Sequence, residues 1–146
     1  MRVLEILHNT SDASISTTFS TGGDLGSDLN TRLLSNPALT GLPMAITDQS
    51  GVCCDPVLGF VWGGVGAAQV AIPTFADGSE YYRYEWTLTL EPGETKILMH
   101  FVIQKPGDDP AAAQTQAEAL QNLTDSRALF GMSAAEKAAL VNFVIP

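Results

Sequence analysis

This sequence is short of positive charge. Its 146 residues hold 7 Lys and Arg against 16 Asp and Glu, a formal net charge of -9. So few, scattered cations cannot offset the acids on a phosphate-lined surface, which argues against nucleic-acid binding. Total charge is also low, 16% against roughly 25% in an average globular chain. With 45% hydrophobic residues, that composition excludes a disordered chain. No apolar run approaches the roughly 18 residues a membrane helix requires, which excludes helical membrane insertion. Cysteine is nearly absent, with 2 in the whole chain. A disulfide-scaffold class is thereby excluded, as are collagen-like and coiled-coil classes. The length fits one domain, residues 1–146.

The two cysteines are adjacent, Cys53 and Cys54. Zinc wants four ligands, and only His8 and His100 are available to join them. Three readings stay open: a reduced pair with one buried as a small hydrophobe, a vicinal disulfide, and an intermolecular bond. Met1 runs directly into the strand-like Arg2-Val3-Leu4-Glu5-Ile6-Leu7, with no signal-peptide pattern, and the chain ends at Phe143-Val144-Ile145-Pro146 without a polar tail. Both ends suggest a piece excised from a larger protein; a natural cytoplasmic start also fits.

The body of the chain reads as strands followed by helices. Residues 3–7 and 14–20 are strand-like and separated by the turn-forming Asn9-Thr10-Ser11-Asp12, which predicts a hairpin. Residues 21–30 read as a Gly/Asp loop, residues 42–47 as a short strand after an Asn36-Pro37 turn, and residues 49–56 as another loop. Residues 57–73 are apolar but interrupted by Gly59, Gly63, Gly64 and Gly66, which mark bulges or close backbone approach.

The clearest segment is residues 82–90. Tyr82, Tyr84, Trp86, Leu88 and Leu90 share one face, and Tyr81, Arg83, Glu85, Thr87 and Thr89 the other, a period-2 pattern with one dry and one wet side. Glu91-Pro92-Gly93-Glu94 suits a type II turn, which splays hairpin strands, so residues 82–90 and 95–104 either pair or arch between two sheets. Asp109-Pro110 caps a helix over 111–123, and Ser133 with Glu136 forms a capping box for a second over 134–142. The fold class expected is mainly β: an antiparallel β-sandwich over 1–107 with two short C-terminal helices over 108–146.

Chemistry-bearing constellations are sparse. There is no G-x-S-x-G nucleophile elbow, and Gly22-Gly23-Asp24-Leu25-Gly26 is not followed by the helix a phosphate cradle requires. By alternation His100 shares a face with Leu98 and Val102, as a satisfied, partly buried imidazole, and His8 sits at the surface. Asp108 and Asp109 are explained by helix capping, Glu91 and Glu94 by a solvated turn. Asp24 and Asp28 lie in a Gly/Ser/Asn loop of the kind that supplies oxygen ligands to calcium, although it is not an EF-hand pattern; ordinary turn chemistry is the alternative. Calcium is the one cofactor the sequence suggests. Trp62 and Tyr81 are candidate rings of a sugar-stacking platform, while Tyr82, Tyr84 and Trp86 point inward.

Four phrases together resemble a known kind of module. They are Gly23-Asp24-Leu25-Gly26-Ser27-Asp28, Asp55-Pro56-Val57-Leu58-Gly59-Phe60-Val61-Trp62-Gly63-Gly64, Pro92-Gly93-Glu94-Thr95 with Leu98, His100-Phe101 and Gln104, and the closing segment 132–143. In this order they resemble accessory β-sandwich modules of large bacterial secreted or cell-surface proteins. Such modules have no established activity, so the resemblance assigns no functional residues; Cys53 and Cys54 fall outside its pattern. It implies an extracellular or cell-surface, non-catalytic module for adhesion, spacing or binding, with a protein or a glycan as partner. It also implies strand sequence ahead of residue 2, whose absence would leave a sheet edge open to homo-oligomerisation. A carbohydrate-binding module and a fragment of a secreted hydrolase are the alternatives.

Overall fold

The computed structural model describes residues 1–26, 29–49, 55–107 and 109–145. Among the described residues, eight strands and three short helices follow one another: β1 (Arg2–His8), β2 (Ile15–Asp24), β3 (Thr31–Ser35), α1 (Pro37–Thr40), β4 (Met44–Gln49), β5 (Val57–Val61), β6 (Ile72–Thr74), β7 (Tyr81–Leu90), β8 (Thr95–Lys105), α2 (Pro110–Gln121) and α3 (Ala134–Ala139). They form a five-stranded antiparallel sheet in the order β1-β8-β5-β4-β3 and a three-stranded one in the order β2-β7-β6. The mainly β, sandwich-like arrangement matches the expectation from sequence.

The period-2 pattern of β7 explains the inter-sheet core. Tyr84, Trp86, Leu88 and Leu90 are buried there with Phe60, Trp62, Ala71 and Leu98. Strand β8 is apolar on both faces because both are covered. Leu98 and His100 face the small sheet, while Ile97, Met99, Phe101 and Ile103 enter a second core. That second core is closed by Ala113, Ala117 and Leu120 of α2 and by Ala128, Met132, Leu140 and Phe143. The C-terminal helical segment is therefore a third layer against the large sheet. Both of its expected helix starts are present: Asp109 Oδ1 accepts from Ala112 N at 3.0 Å, and Ser133 and Glu136 make a reciprocal capping box.

Strand pairing departs from the hairpin expected for residues 3–7 and 14–20. β1 pairs with β8 and β2 with β7, so both the β1–β2 and the β7–β8 connections arch between sheets. Asn9 joins the two corners. Its backbone N–H donates to Glu94 O, Gly93 N–H donates to Asn9 O, and its side-chain Nδ2 donates to Ala13 O and Leu90 O. Asn9 and Leu90 are buried where the two arches meet while residues 10–14 and 91–93 stay exposed, and a type II turn does not match the twist of a tight hairpin.

Two further differences concern glycine and short elements. Residues 21–24, read as loop, continue β2, because the Tyr82 ring lies over Gly23, its cross-strand partner, and takes the place of the missing side chain. β3, α1 and β6 were not anticipated; α1 is a single turn whose cap is Asn36, with Oδ1 accepting from Ala38 N at 2.9 Å.

The C-terminus completes the large sheet. β5 leaves β8 at the Val61–Phe101 pair, and the next groups along that side of β8 belong to Met99 and Ile97. Val141 N–H donates to Ile97 O, and the side chain of Asn142 serves Met99 on both sides, accepting from its N–H at 2.9 Å and donating to its carbonyl at 2.7 Å. Asn142 Nδ2 also donates to Trp62 O at 2.8 Å. One amide side chain thus stands in for the strand that β5 no longer supplies. Gly64 admits this segment: a Cβ there would meet the Phe143 ring at 3.1 Å and Gln121 O at 3.3 Å.

Candidate functional site

Three features can do something beyond packing: the outer face of the small sheet, a groove beside Trp62, and a buried polar chain between the sheets.

The outer face of the small sheet is set by the β2–β7 register. Asp24 lies opposite Tyr81, Gly22 opposite Arg83, Ser20 opposite Glu85, Thr18 opposite Thr87 and Ser16 opposite Thr89. Cross-strand hydroxyls pair at 2.9 Å for Ser16 and Thr89 and at 3.3 Å for Thr18 and Thr87. Arg83 and Glu85 form a surface ion pair at 2.6 Å. Because Gly22 presents no side chain to Arg83, a shallow depression opens between Ser20, Asp24, Tyr81 and Arg83. Tyr81 stands 62% exposed at its margin. Its hydrogen bond with Glu80 and the charges of Glu80 and Asp24 raise the phenol above its ordinary pKa, so it remains a protonated donor.

Asp24 closes β2 by accepting from Gly26 N at 2.7 Å, ordinary Asx-turn chemistry. Its expected calcium partner, Asp28, lies outside the described residues. Among the described residues, no group of three or more His, Cys, Asp or Glu is placed to hold a metal ion. Cys53 and Cys54 also lie outside the described residues.

Trp62 is not a surface platform. It is 1% exposed, and its ring stacks on Phe75 at 5.4 Å and on Tyr84 at 5.2 Å. The alternation of β5 runs on through Trp62, since Leu58, Phe60 and Trp62 share the inter-sheet face while Val57 and Val61 enter the second core, and that period-2 signal was available in the sequence. Its edge walls a groove of about 360 Å³ shared with Pro37, Leu42, Pro43, Val65 and Val70. Trp62 and Tyr81 line separate depressions, so the two rings do not make one binding surface.

The polar chain is Glu5–His100–Tyr84, in which Tyr84 and His100 are buried and Glu5 forms the half-buried end. His100 Nδ1 lies 2.8 Å from Tyr84 Oη, and His100 Nε2 lies 3.2 Å from Glu5 Oε1. Glu5 is opposite Leu98 in the β1–β8 register, on the face that looks toward the small sheet. Burial lowers the imidazole below its ordinary pKa, and Glu5 opposes that shift through its hydrogen bond and charge. In the neutral ring, Nε2–H donates to Glu5 and Nδ1 accepts from the Tyr84 hydroxyl. Burial is also the main cause that raises the Tyr84 phenol, which keeps that donor protonated. His100 is the satisfied imidazole expected; its two partners were missed. The available signal was Glu5 alternating with Val3 and Leu7, an acid on an otherwise apolar strand face. Beside the chain, Trp86 Nε1 is the one buried side-chain polar atom among the described residues without a partner.

The chain's surroundings leave no open face on His100, which is 5% exposed. His8 sits at the surface, as expected, with Nδ1 2.8 Å from Thr95 Oγ1. Compared with known proteins, the sequence matches no family model and no curated protein, and the fold matches no solved structure.

Proposed function

We propose that this chain is a non-catalytic interaction module of a bacterial secreted or cell-surface protein, serving adhesion, spacing or binding to a protein or glycan. One observation carries the non-catalytic part. The His100 imidazole is enclosed, with both ring nitrogens engaged by Tyr84 and Glu5, and among the described residues no serine, threonine or cysteine lining the depressions at Trp62 and Tyr81 is hydrogen-bonded to a base. The likeness of four sequence phrases to such modules supports the extracellular placement. No helix is long and apolar enough to cross a membrane among the described residues. The test is a panel of chromogenic esters, glycosides and peptides, run beside His100→Ala and Glu5→Gln variants. The expected result is no turnover that depends on either residue. Turnover lost in both variants, with fold retained by circular dichroism, would overturn the proposal.

A carbohydrate-binding module is the second reading, favoured by exposed Tyr81 beside Asp24 and Arg83 on a flat hydroxyl-bearing sheet face. A glycan-array signal abolished by Tyr81→Ala would establish it, and silence across plant, host and bacterial glycans would remove it.

A further inference from the structure

The four sheet edges are not alike. Edge β3 is interrupted by a register shift between Leu33 and Ser35, and its Leu33 N–H is capped by Asp77 Oδ1 at 2.6 Å. Edge β6 is three residues long with Pro73 at its centre. Edge β1 carries Arg2 and Glu5, and Arg2 Nη1 is tied to Ala128 O at 2.9 Å. These are the usual devices against edge-to-edge pairing: bulges, proline, short length and charge. Edge β2 has none of them. It runs ten residues, contains no proline, carries no charge before Asp24, and keeps an unbroken register with β7.

The backbone directions on β2 follow from one bond beyond its end. Leu25 N–H donates to Glu80 O at 2.6 Å, continuing the β2–β7 register. Antiparallel pairs alternate between hydrogen-bonded and non-bonded, so the odd-numbered residues of β2 bond β7. Ser16, Thr18, Ser20 and Gly22 then aim their N–H and C=O groups away from the sheet. The chemical complement of such a row is another extended strand.

We infer that this edge recognises a second copy of the same chain, with two β2 strands pairing antiparallel about a two-fold axis. The inference rests on the interaction-module reading and names its partner. Charge sets where two copies can meet: a chain of net charge -9 repels its copy elsewhere, and residues 13–23 form an uncharged, self-complementary strip along which the two can pair. Symmetry also fits. An axis at Phe19 keeps inward side chains facing inward, sets Thr18 beside the partner copy's Ser20 and Thr17 beside its Thr21, and places Asp24 against Ser14 instead of another acid. Phe19 already packs on Trp86 at 6.1 Å, and Ile15 is 42% exposed at the margin of the inter-sheet core. The second copy sets its own Phe19 beside Phe19 across the axis. The product is one continuous six-stranded sheet.

The test is sedimentation equilibrium of the full chain across a wide dilution series, in reductant so that no cysteine-linked dimer contributes. The expected mass at high concentration is twice 15.5 kDa. Thr18→Pro removes one outward N–H without breaking a β7 bond, and Thr18→Glu adds an acid on each side of the axis. Both are expected to return the chain to monomer mass with unchanged circular dichroism; Thr18→Glu serves alone if the proline variant fails to fold. A wild-type chain that stays monomeric at the highest concentration overturns the inference, as does a dimer that survives Thr18→Glu. Either result leaves the interaction-module proposal standing, since that proposal is tested separately, by turnover lost in both the His100 and the Glu5 variant.

Discussion

Removing the Asn142 side chain is expected to open the large sheet from within. Asn142 is fully buried and makes three hydrogen bonds, to Met99 N, Met99 O and Trp62 O. Asn142→Ala leaves one buried amide and two buried carbonyls of the backbone without partners. An unmade bond to a buried polar group costs about 1–3 kcal/mol. The three share one side chain and relax together, so the sum is held to about 3–5 kcal/mol. That is a large fraction of a domain stability of about 5–15 kcal/mol. At roughly 2–4 °C per kcal/mol for a chain of this size, the melting midpoint falls by about 6–20 °C. Urea unfolding followed by Trp fluorescence is the assay, with the midpoint falling and the slope unchanged. Asn122→Ala is the control, because that amide makes only an exposed bond to Glu118 O. Native-state hydrogen exchange adds a local readout: the Met99 amide is expected to lose protection ahead of its neighbours in the variant. A loss below about 1 kcal/mol, with Met99 still protected, would refute the view that this side chain replaces a strand.

Two more predictions follow from the buried chain and the helix cap. The folded-state pKa of His100 is lowered, mainly by burial, so below its unfolded value near 6.5 the unfolded chain binds more protons. Stability is therefore fully present above about pH 6.5 and declines as pH falls below it, by at most about 1.4 kcal/mol per pH unit. Protonation also reverses the bond to Tyr84, which must then accept from Nδ1. His100→Gln is expected to flatten the denaturation midpoint between about pH 5 and 6.5, a window above most carboxylate titration; an unchanged slope would show that another group causes it. Ser133→Ala removes the hydroxyl that accepts from Glu136 N at 3.2 Å, and is expected to cost about 1 kcal/mol in thermal melts. No measurable change would mean that α3 is held by its packing alone.

The features legible in the sequence are those whose cause is local. The two faces of residues 81–90 follow from strict alternation, and the structure buries Tyr84, Trp86, Leu88 and Leu90 while exposing Tyr81, Thr87 and Thr89. The helix starts at Asp109 and Ser133 are set by side chains that bond their own next turn. The inward position of His100 follows from its place between Met99 and Phe101 in the same way. Asp24 makes the local turn bond that its Gly-rich surroundings suggest, with Oδ1 accepting from Gly26 N.

What the tertiary structure decided is everything that depends on which strand lies beside which. A period of two says which side chains share a face, but it names no neighbour. β1 pairs with β8 and not with β2, and Asn9 ties the two arches together through bonds to Glu94, Gly93 and Leu90. Trp62 became core because Phe75 and Tyr84 close over it from segments far along the chain. The Glu5–His100–Tyr84 chain joins residues 95 and 16 positions apart. Asn142, unremarkable in the sequence, fills a gap in a ladder 43 residues away. The unguarded edge at β2 likewise exists only because, among the described residues, β7 has two neighbours and β2 has one. Local periodicity and capping are written in adjacent residues. Partner choice is settled by the total burial and hydrogen bonding of the finished fold, and the candidate sites of this protein depend on that choice.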